Sequence, residues 1–359
     1  MMGRGMGVLV PASRWNRLAA ALLVECSIGG CLVIGSPGQS SLTSDCLPVA
    51  VHASAQFGGD WSGDGQRVVC LSTFDVKGRI DPGVYVADVA SGNARQVLAS
   101  SGLFGPVRCR WNPKLDLVLL DFGTTQGILD LESSAVSFLA DEGRALYRGT
   151  WSPEGDSVWY VRDASNSEPP SASGLYVMSR LGGASRPFRP ADGTVITPND
   201  WLAFSPDGGE IAYAAEVFDS NGQDTGGSEI DVIQRDGTRR RQVTRLGGIS
   251  RNPQWIENGR AILFDYVSAE CALTGGATVE RRLLVLNLGT GAIENAPHVL
   301  ATAAFQFSFP PVLDRSAERV LTIAGGEAPY ASPRVGFFYV GSWRKGDRRA
   351  LFGHPKLGG

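Results

Sequence analysis

The sequence predicts an all-β fold: a six-bladed β-propeller of four-stranded antiparallel blades, preceded by a signal or anchor segment. Three observations support this prediction. A hairpin pattern recurs along most of the chain, a second pattern of short strands follows each copy of it, and no long amphipathic helical period competes with either. The 46 glycines suit the many turns of such a fold.

The hairpin pattern is clearest from Trp201 to Ala215, where a Ser-Pro-Asp-Gly turn precedes an alternating apolar strand. Pro206 presets φ at the first central turn position, Asp207 can bond to its own backbone, and Gly208 tolerates positive φ. In each copy a large marker residue, usually aromatic, is followed seven positions later by a β-branched residue. These pairs are Trp61/Val68, Trp111/Val118, Trp151/Val158, Phe204/Ile211, Trp255/Ile262 and a degenerate Leu313/Val320. We expect the marker rings to fill the space between neighbouring blades.

The second half of each unit also repeats. A short apolar strand follows each hairpin, at 84–86, 128–131, 175–178, 230–233, 283–286 and 337–340. A turn, usually rich in glycine, comes next, and a last short strand is visible at 96–98, 136–139, 242–244 and 350–352. Four short antiparallel strands per unit form one propeller blade.

The W-S-P-D-G, I-A-Y and glycine-turn motifs together resemble the TolB-like, PD40 (WD40-like) family of six-bladed β-propellers. The resemblance covers residues 50 to 352, leaving 353–359 as a C-terminal tail. It implies a protein of the bacterial cell envelope that binds protein or peptide partners.

The N-terminus differs in kind from the repeats. Arginines precede an apolar run from Leu18 to Val24, and Ile28-Gly29-Gly30-Cys31 follows. This tetrad resembles a bacterial lipobox, in which Cys31 would carry lipid, although Glu25 interrupts the apolar run. A lipoprotein leader over 1–31, an ordinary cleaved signal and an uncleaved anchor remain alternatives. All three export the propeller, and the Ser/Gly-rich stretch 32–49 has the composition of a flexible linker.

The remaining cysteines allow more than one arrangement. Cys46, Cys70, Cys109 and Cys271 lie after the leader, where an exported protein could pair them. Cys70 and Cys109 fall in adjacent blades and form the first candidate pair. The alternative is that they are buried free thiols that act as small hydrophobic side chains. No C-x-x-C spacing indicates a zinc or redox site.

Catalytic signatures are missing from the sequence. There are three histidines, and no G-x-S-x-G, H-E-x-x-H, phosphate loop or dinucleotide-binding motif occurs. The acidic loop Asp219–Asp231 starts like a calcium loop, but Asp224 replaces the required glycine and Ile230 the bidentate glutamate. We therefore predict no enzyme activity, no metal and no cofactor. The net charge of −3 does not call for a nucleic acid partner.

Arginines near the start of the first strands are the candidate ligand contacts. The third position before the marker holds Arg108 and Arg148, and Arg251 flanks the same level. If they converge in the axial channel, they create a focused positive potential. Alternatively, carboxylates of neighbouring turns neutralise them, with Asp60, Asp200 and Glu154 as candidates. Two further basic clusters, 239–241 and 344–349, are better explained as charged sheet edges that resist strand pairing.

These observations favour an exported, membrane-tethered and monomeric binding scaffold that is not an enzyme. It would bind an envelope protein or peptide through its loops and channel mouth. Two alternatives are a propeller enzyme, such as a lyase or glycan-cleaving enzyme acting at the mouth, and a module that binds glycans or small ligands.

Overall fold

The computed structural model describes residues 59–72, 83–100, 106–141, 144–162, 172–196, 198, 202–268, 281–296, 312–316, 319–325, 336–342 and 348–352. All of them belong to one compact unit. The leader, the linker, the C-terminal tail, Cys31, Cys46, Cys271 and Asp200 lie outside the described residues. Within the described residues, no helix is long and apolar enough to cross a membrane.

The strands follow one another in groups of four, here called modules and numbered in chain order. Module 1 contains β1 (Gly59–Trp61), β2 (Arg67–Ser72), β3 (Gly83–Asp88) and β4 (Ala94–Ala99). Module 2 contains β5 (Arg108–Trp111), β6 (Leu117–Asp121), β7 (Gln126–Asp130) and β8 (Val136–Leu139). Module 3 contains β9 (Leu146–Trp151), β10 (Ser157–Arg162), β11 (Gly174–Ser179) and β12 (Arg186–Pro187). Module 4 contains β13 (Ala203–Phe204), β14 (Glu210–Phe218), β15 (Asp224–Gln234) and β16 (Arg241–Gln242). Module 5 contains β17 (Ile249–Ile256), β18 (Ala261–Val267), β19 (Arg281–Asn287) and β20 (Ile293–Asn295), with a 3-10 turn at Glu257–Gly259. Module 6 contains β21 (Val312–Leu313), β22 (Arg319–Gly325), β23 (Gly336–Ser342) and β24 (Arg348–Phe352).

Within each module, sequential strands pair antiparallel, so the module is a simple meander. Modules 4 and 5 depart from complete separation. They join into one eight-stranded sheet through a parallel pairing of β15 with β17, at Ser228 opposite Ile249. The sequence pattern did not predict this link, because it depends on one pairing between strands of different modules.

The first two strands of each module pair in the register of the repeat. Each marker residue lies directly opposite the β-branched residue seven positions later, as Trp61 does with Val68 and Phe204 with Ile211. In modules 1, 3 and 4 the intervening turn is closed by a bond from the glycine N–H to the serine carbonyl, at 2.8 Å from Gly208 to Ser205. Gly208 has φ of 74°, a conformation that glycine adopts without steric cost.

Apolar clusters fill the boundaries between successive modules. The cluster at the boundary of modules 2 and 3 contains Trp151, Leu119 and Tyr160, all nearly inaccessible to solvent. Equivalent clusters lie between modules 1 and 2, 3 and 4, 4 and 5, and 5 and 6. Modules 2 to 5 therefore bury both faces of their sheets, which explains why their inner strands are almost continuously apolar.

Hydrogen bonds between first strands tie neighbouring modules together. In three modules the marker tryptophan Nε1–H donates to the carbonyl of the residue just before the marker of another module. These bonds run from Trp61 to Val312 at 2.9 Å, from Trp151 to Arg110 at 3.0 Å and from Trp255 to Ala203 at 2.9 Å. A fourth bond has the same direction, because the Trp111 backbone N–H of module 2 donates to Asp60 Oδ2 of module 1 at 2.9 Å. Module 1 thus contacts module 6 directly.

The candidate disulfide between Cys70 and Cys109 is not present: both are buried free thiols. The alternation of side chains along a strand gives the reason. Cys109 packs in the cluster between modules 1 and 2 together with Val69 and Leu71. Cys70 lies between those two residues in the sequence, so its side chain points to the other face of the sheet. Burial raises the pKa of both thiols, which keeps them protonated.

Candidate functional site

Each module has two ends with different chemistry. The tight turns between first and second strands form one end, here called the turn face. The loops between second and third strands lie at the opposite end, because the strands are antiparallel. This second end, with the beginnings of the first strands, is here called the mouth. The candidate arginines of the sequence lie at the mouth.

Two first strands are bulged at the mouth, at the same position of the repeat. In β9 and in β17, two residues face a single residue of the second strand, so the ladder is locally interrupted. Arg148 and Asn252, each three positions before the marker, have φ of 55° and 53°. This left-handed conformation is tolerated by asparagine but is unfavourable for arginine.

The Arg148 bulge is held from two sides. Its backbone N–H donates to Asp121 Oδ2 of module 2 at 3.3 Å, and its Nη1 donates to the Pro198 carbonyl at 2.7 Å. Asp121 Oδ1 in turn accepts the Gly123 N–H at 2.8 Å. Burial raises the pKa of Asp121, and the charges of Arg108 and Arg148 partly offset that rise.

A buried amide completes the contact between modules 2 and 3. Gln126 lies directly opposite Asp121, is fully buried, and neither of its amide atoms has a hydrogen-bond partner in the described structure. The amide approaches the backbone of Gly149 so closely that an added Cβ would clash with Oε1. The boundary between modules 2 and 3 therefore combines three energetically unfavourable features: the left-handed backbone of Arg148, the buried carboxyl of Asp121 and the unsatisfied amide of Gln126.

Arginine faces aspartate twice at the mouth. Arg108 is the cross-strand partner of Asp121 in module 2, and Arg251 is that of Asp265 in module 5. Both aspartates stand ten positions after their marker, at or near the end of the second strand. In module 5 the bulge residue Asn252 donates its amide N–H to Asp265 Oδ2 at 2.6 Å.

Module 4 adds Glu216 near Arg148, and Asp224 near Glu216. Glu216 of β14 is half-buried, and burial together with the neighbouring Asp224 charge raises its pKa, while Arg148 opposes the rise. Charged side chains of both signs therefore follow one another at the mouth from module 2 to module 4, at Arg108, Asp121, Arg148, Glu216 and Asp224. We call these five residues the mouth cluster.

The structure brings Arg108 and Arg148 to the same carboxyl group, that of Asp121. Arg251 lies in module 5 beside Asp265.

The carboxylates expected to neutralise these arginines have other partners. Glu154 pairs with Arg235 at 2.7 Å on the turn face. Asp60 lies 4.0 Å from Arg110, and two backbone N–H groups bind it. Burial nevertheless raises the pKa of Asp60.

Asp121, Asp265 and Gln126 were not predicted from the sequence. The predicted arginines lie before the marker on the first strand. The two aspartates lie on the second strand, each ten positions after its marker, and this shared spacing is a signal that identifies them. Gln126 carries no such signal, because its importance depends on the absence of a side chain at Gly149.

The other polar segments have structural partners. Asp219 Oδ1 accepts the N–H groups of Asn221 and Gln223, each at 2.8 Å, as expected for a turn. In the basic cluster of module 4, Arg240 pairs with Asp231 at 2.9 Å and Arg241 with Glu210 at 2.7 Å. Among the described residues, no group of three or more His, Cys, Asp or Glu side chains could hold a metal ion.

The sequence matches no protein-family model and no curated protein. Solved structures do resemble it. A TolB-type protein from Agrobacterium tumefaciens has a TM-score of 0.51 at 15% identity, over 74% of this chain and 86% of that chain. TolB from Acinetobacter baumannii has a TM-score of 0.38 at 13% identity, over 82% and 53%. An oligogalacturonate lyase in complex with manganese has a TM-score of 0.46 at 15% identity, over 80% and 74%.

Identities this low establish the fold alone. The all-β composition, the meandering four-stranded sheets packed face to face and the similarity to the Agrobacterium protein agree with one another. The chain therefore has a TolB-like β-propeller fold.

Proposed function

We propose that this chain is a non-enzymatic binding scaffold of the bacterial cell envelope, with its mouth cluster as the surface for a protein or peptide partner. In this proposal residues 50–352 form a closed, monomeric six-bladed propeller. A leader over 1–31 exports it, and Cys31 carries the lipid that tethers it through the linker 32–49.

The observation that supports a binding site is the convergence of unfavourable features around Arg148. A left-handed arginine, a buried carboxyl with a raised pKa and an unsatisfied amide occur together at the boundary of modules 2 and 3. Such features persist at functional sites, where they are maintained at the expense of stability. The hydrogen bonds that fix Arg148 also hold its charge in place before a partner arrives, which lowers the entropy lost on binding.

Arg148→Asn is the test, because module 5 carries asparagine at the equivalent bulge. Partners are first crosslinked to the intact protein in cells, identified and purified, and their affinity is measured by calorimetry. We expect the variant to keep the wild-type melting temperature within about 2 °C and to lose roughly tenfold or more in affinity. Unchanged affinity would contradict a role of the mouth cluster in binding.

One observation supports a second candidate, a glycan-cleaving enzyme. Burial and the nearby Asp224 charge raise the pKa of Glu216, and a raised carboxyl pKa suits a general acid. Glu216→Gln would abolish release of reducing ends from envelope glycans if this candidate is correct. Absence of any such release by the wild-type protein would leave the scaffold proposal in place.

The tether has its own test. We expect Cys31→Ser to release the protein from the membrane fraction or to leave its leader uncleaved. A mature N-terminus at a residue other than Cys31, measured by mass spectrometry, would exclude the lipid anchor without bearing on the mouth cluster.

A further inference from the structure

The second and third strands of module 4 are longer than those described in the other modules. These strands, β14 and β15, have nine and eleven residues, whereas the second and third strands of the other modules have five to seven. The side chains change from buried to exposed along the hairpin, and residues 218 to 225 are all exposed. Compared with a six-residue strand, the nine residues of β14 add roughly 10 Å of length, at about 3.4 Å per residue. We call residues 216–227 the prong.

Hydrogen bonds make the prong a defined structure. Asp219 binds two backbone N–H groups of the turn, and the Gly222 N–H donates to the Asp219 carbonyl at 2.9 Å. The Thr225 hydroxyl bridges to the Val217 carbonyl at 2.7 Å, and Asp224 Oδ1 accepts the Gly226 N–H at 2.8 Å. A tip fixed in this way loses little conformational entropy when it binds.

The tip carries an aromatic ring that the fold does not use. Phe218 is 56% exposed and ends β14. Phe138, which is also exposed, lies instead on the outer strand of module 2 and packs against Phe122 at 5.5 Å between ring centroids. Leu181 belongs to a turn on the turn face of module 3. Phe218 is therefore an exposed large apolar side chain near the tip of a hairpin at the mouth.

The charged residues of the hairpin itself are all acidic. The sequence from Glu210 to Gln234 contains no lysine, arginine or histidine. Asp219 and Asp224 are both exposed on the prong, and Glu216 lies at its base. Backbone N–H groups hold the pKa of Asp219 below its usual value, so this carboxylate stays charged. Charge complementarity therefore favours a basic binding surface opposite the prong.

We propose that the prong inserts into a partner protein whose apolar pocket receives Phe218 and whose rim presents lysine or arginine to Asp219 and Asp224. This inference rests on the binding-scaffold function and specifies the chemistry of the partner. Aromatic anchors seated in apolar pockets dominate the energetics of many interfaces, and the surrounding charges set orientation and association rate.

The test uses the full-length protein with a photo-crosslinking phenylalanine analogue at position 218, and the same analogue at position 138 as the matched control. A protein crosslinked in intact cells from 218 and not from 138 is identified and purified, and its affinity is measured at 50 and 300 mM salt. We expect Phe218→Ala to weaken binding at least ~30-fold with an unchanged melting temperature, and Phe138→Ala to have no effect on binding.

The charge component is tested with Asp219→Asn combined with Asp224→Asn. Asparagine keeps the side-chain carbonyl that accepts the turn N–H groups, so the hairpin is preserved while two charges are removed. We expect a roughly five- to tenfold loss of affinity at 50 mM salt and a smaller one at 300 mM salt.

Several outcomes would overturn the proposal. Equal crosslinking from 138 and 218, a partner indifferent to Phe218→Ala, or crosslinking only to a second copy of this chain or to lipid would each exclude the prong as the docking element. If Arg148→Asn weakens binding while Phe218→Ala does not, the prong proposal fails and the scaffold function stands. If no protein partner is affected by either variant, the scaffold function itself fails.

Discussion

Carboxyl groups of the tight turns and buried carboxyl groups of the mouth have opposite pKa shifts. On the turn face, Asp64 and Asp207 are largely exposed, and bonds from a serine hydroxyl and a backbone N–H lower the pKa of each. At the mouth, burial raises the pKa of Asp121 and Glu216. Hydrogen bonds therefore stabilise the anion in the exposed turns, and burial penalises it at these two mouth positions.

This difference distinguishes residues that recur in the repeat and close its turns from residues that vary between modules at the mouth. In modules 1 and 4 the turn carboxylates Asp64 and Asp207 accept equivalent bonds in the same type of turn. Mouth residues vary at equivalent positions, with arginine at 108 and 148 and asparagine at 252. The left-handed backbone at Arg148 is strained, and strain of this kind concentrates at functional sites.

The largest effect is expected where the turn face meets the boundary between modules. Trp151→Ala should lower the free energy of unfolding by ~3–5 kcal/mol, because it opens a cavity between rigid sheets and removes the bond to the Arg110 carbonyl. Chemical denaturation measures this loss. The control is Phe138→Ala, whose ring is 61% exposed and should contribute far less. Similar losses in both variants would show that the marker ring does not hold the modules together.

An intermediate effect is expected from Asp121, through pH. Its folded pKa lies above the unfolded value of about 3.9, so the native state binds the proton more tightly. The stability from this group is complete below the unfolded pKa and is lost as pH rises through the folded pKa. Asp121→Asn should therefore gain stability relative to wild type between pH 4 and 7, by an amount on the order of 1 kcal/mol. If the difference in free energy of unfolding between Asp121→Asn and wild type, measured by denaturation, does not change between pH 4 and 7, the raised pKa is contradicted.

The smallest effect is expected from Asp207, with the opposite sign. Its folded pKa is lowered, so its stability is present above the unfolded pKa and is lost as pH falls through the folded pKa. Asp207→Asn should lose stability at pH 7 and approach wild type near pH 3. Because the side chain is exposed, solvent screening keeps the change smaller than that at Asp121. If Asp207→Asn were more stable than wild type at pH 7, the opposite pKa shifts of Asp207 and Asp121 would be contradicted.

Local chemistry made the turn face predictable from sequence. The seven-residue interval from Trp151 to Val158 fixes a tight hairpin, and glycine at the last turn position reports positive φ directly. The mouth was less predictable, because its geometry depends on bulges and on contacts between modules. Arg108 and Arg148 were found by counting positions. The left-handed φ of Arg148 and the buried amide of Gln126 could not be found, since both arise from packing against a different module.

The bond from Trp61 to the Val312 carbonyl spans 251 positions of sequence, and it has a consequence for biogenesis. While the chain is being synthesised, module 1 lacks its neighbour on one side until module 6 has been made. The apolar side chains on that side stay exposed for most of synthesis, and exposed apolar surface of this kind promotes aggregation. The contact between the two modules can form only when the last one is complete, so the module made first waits longest for its partner.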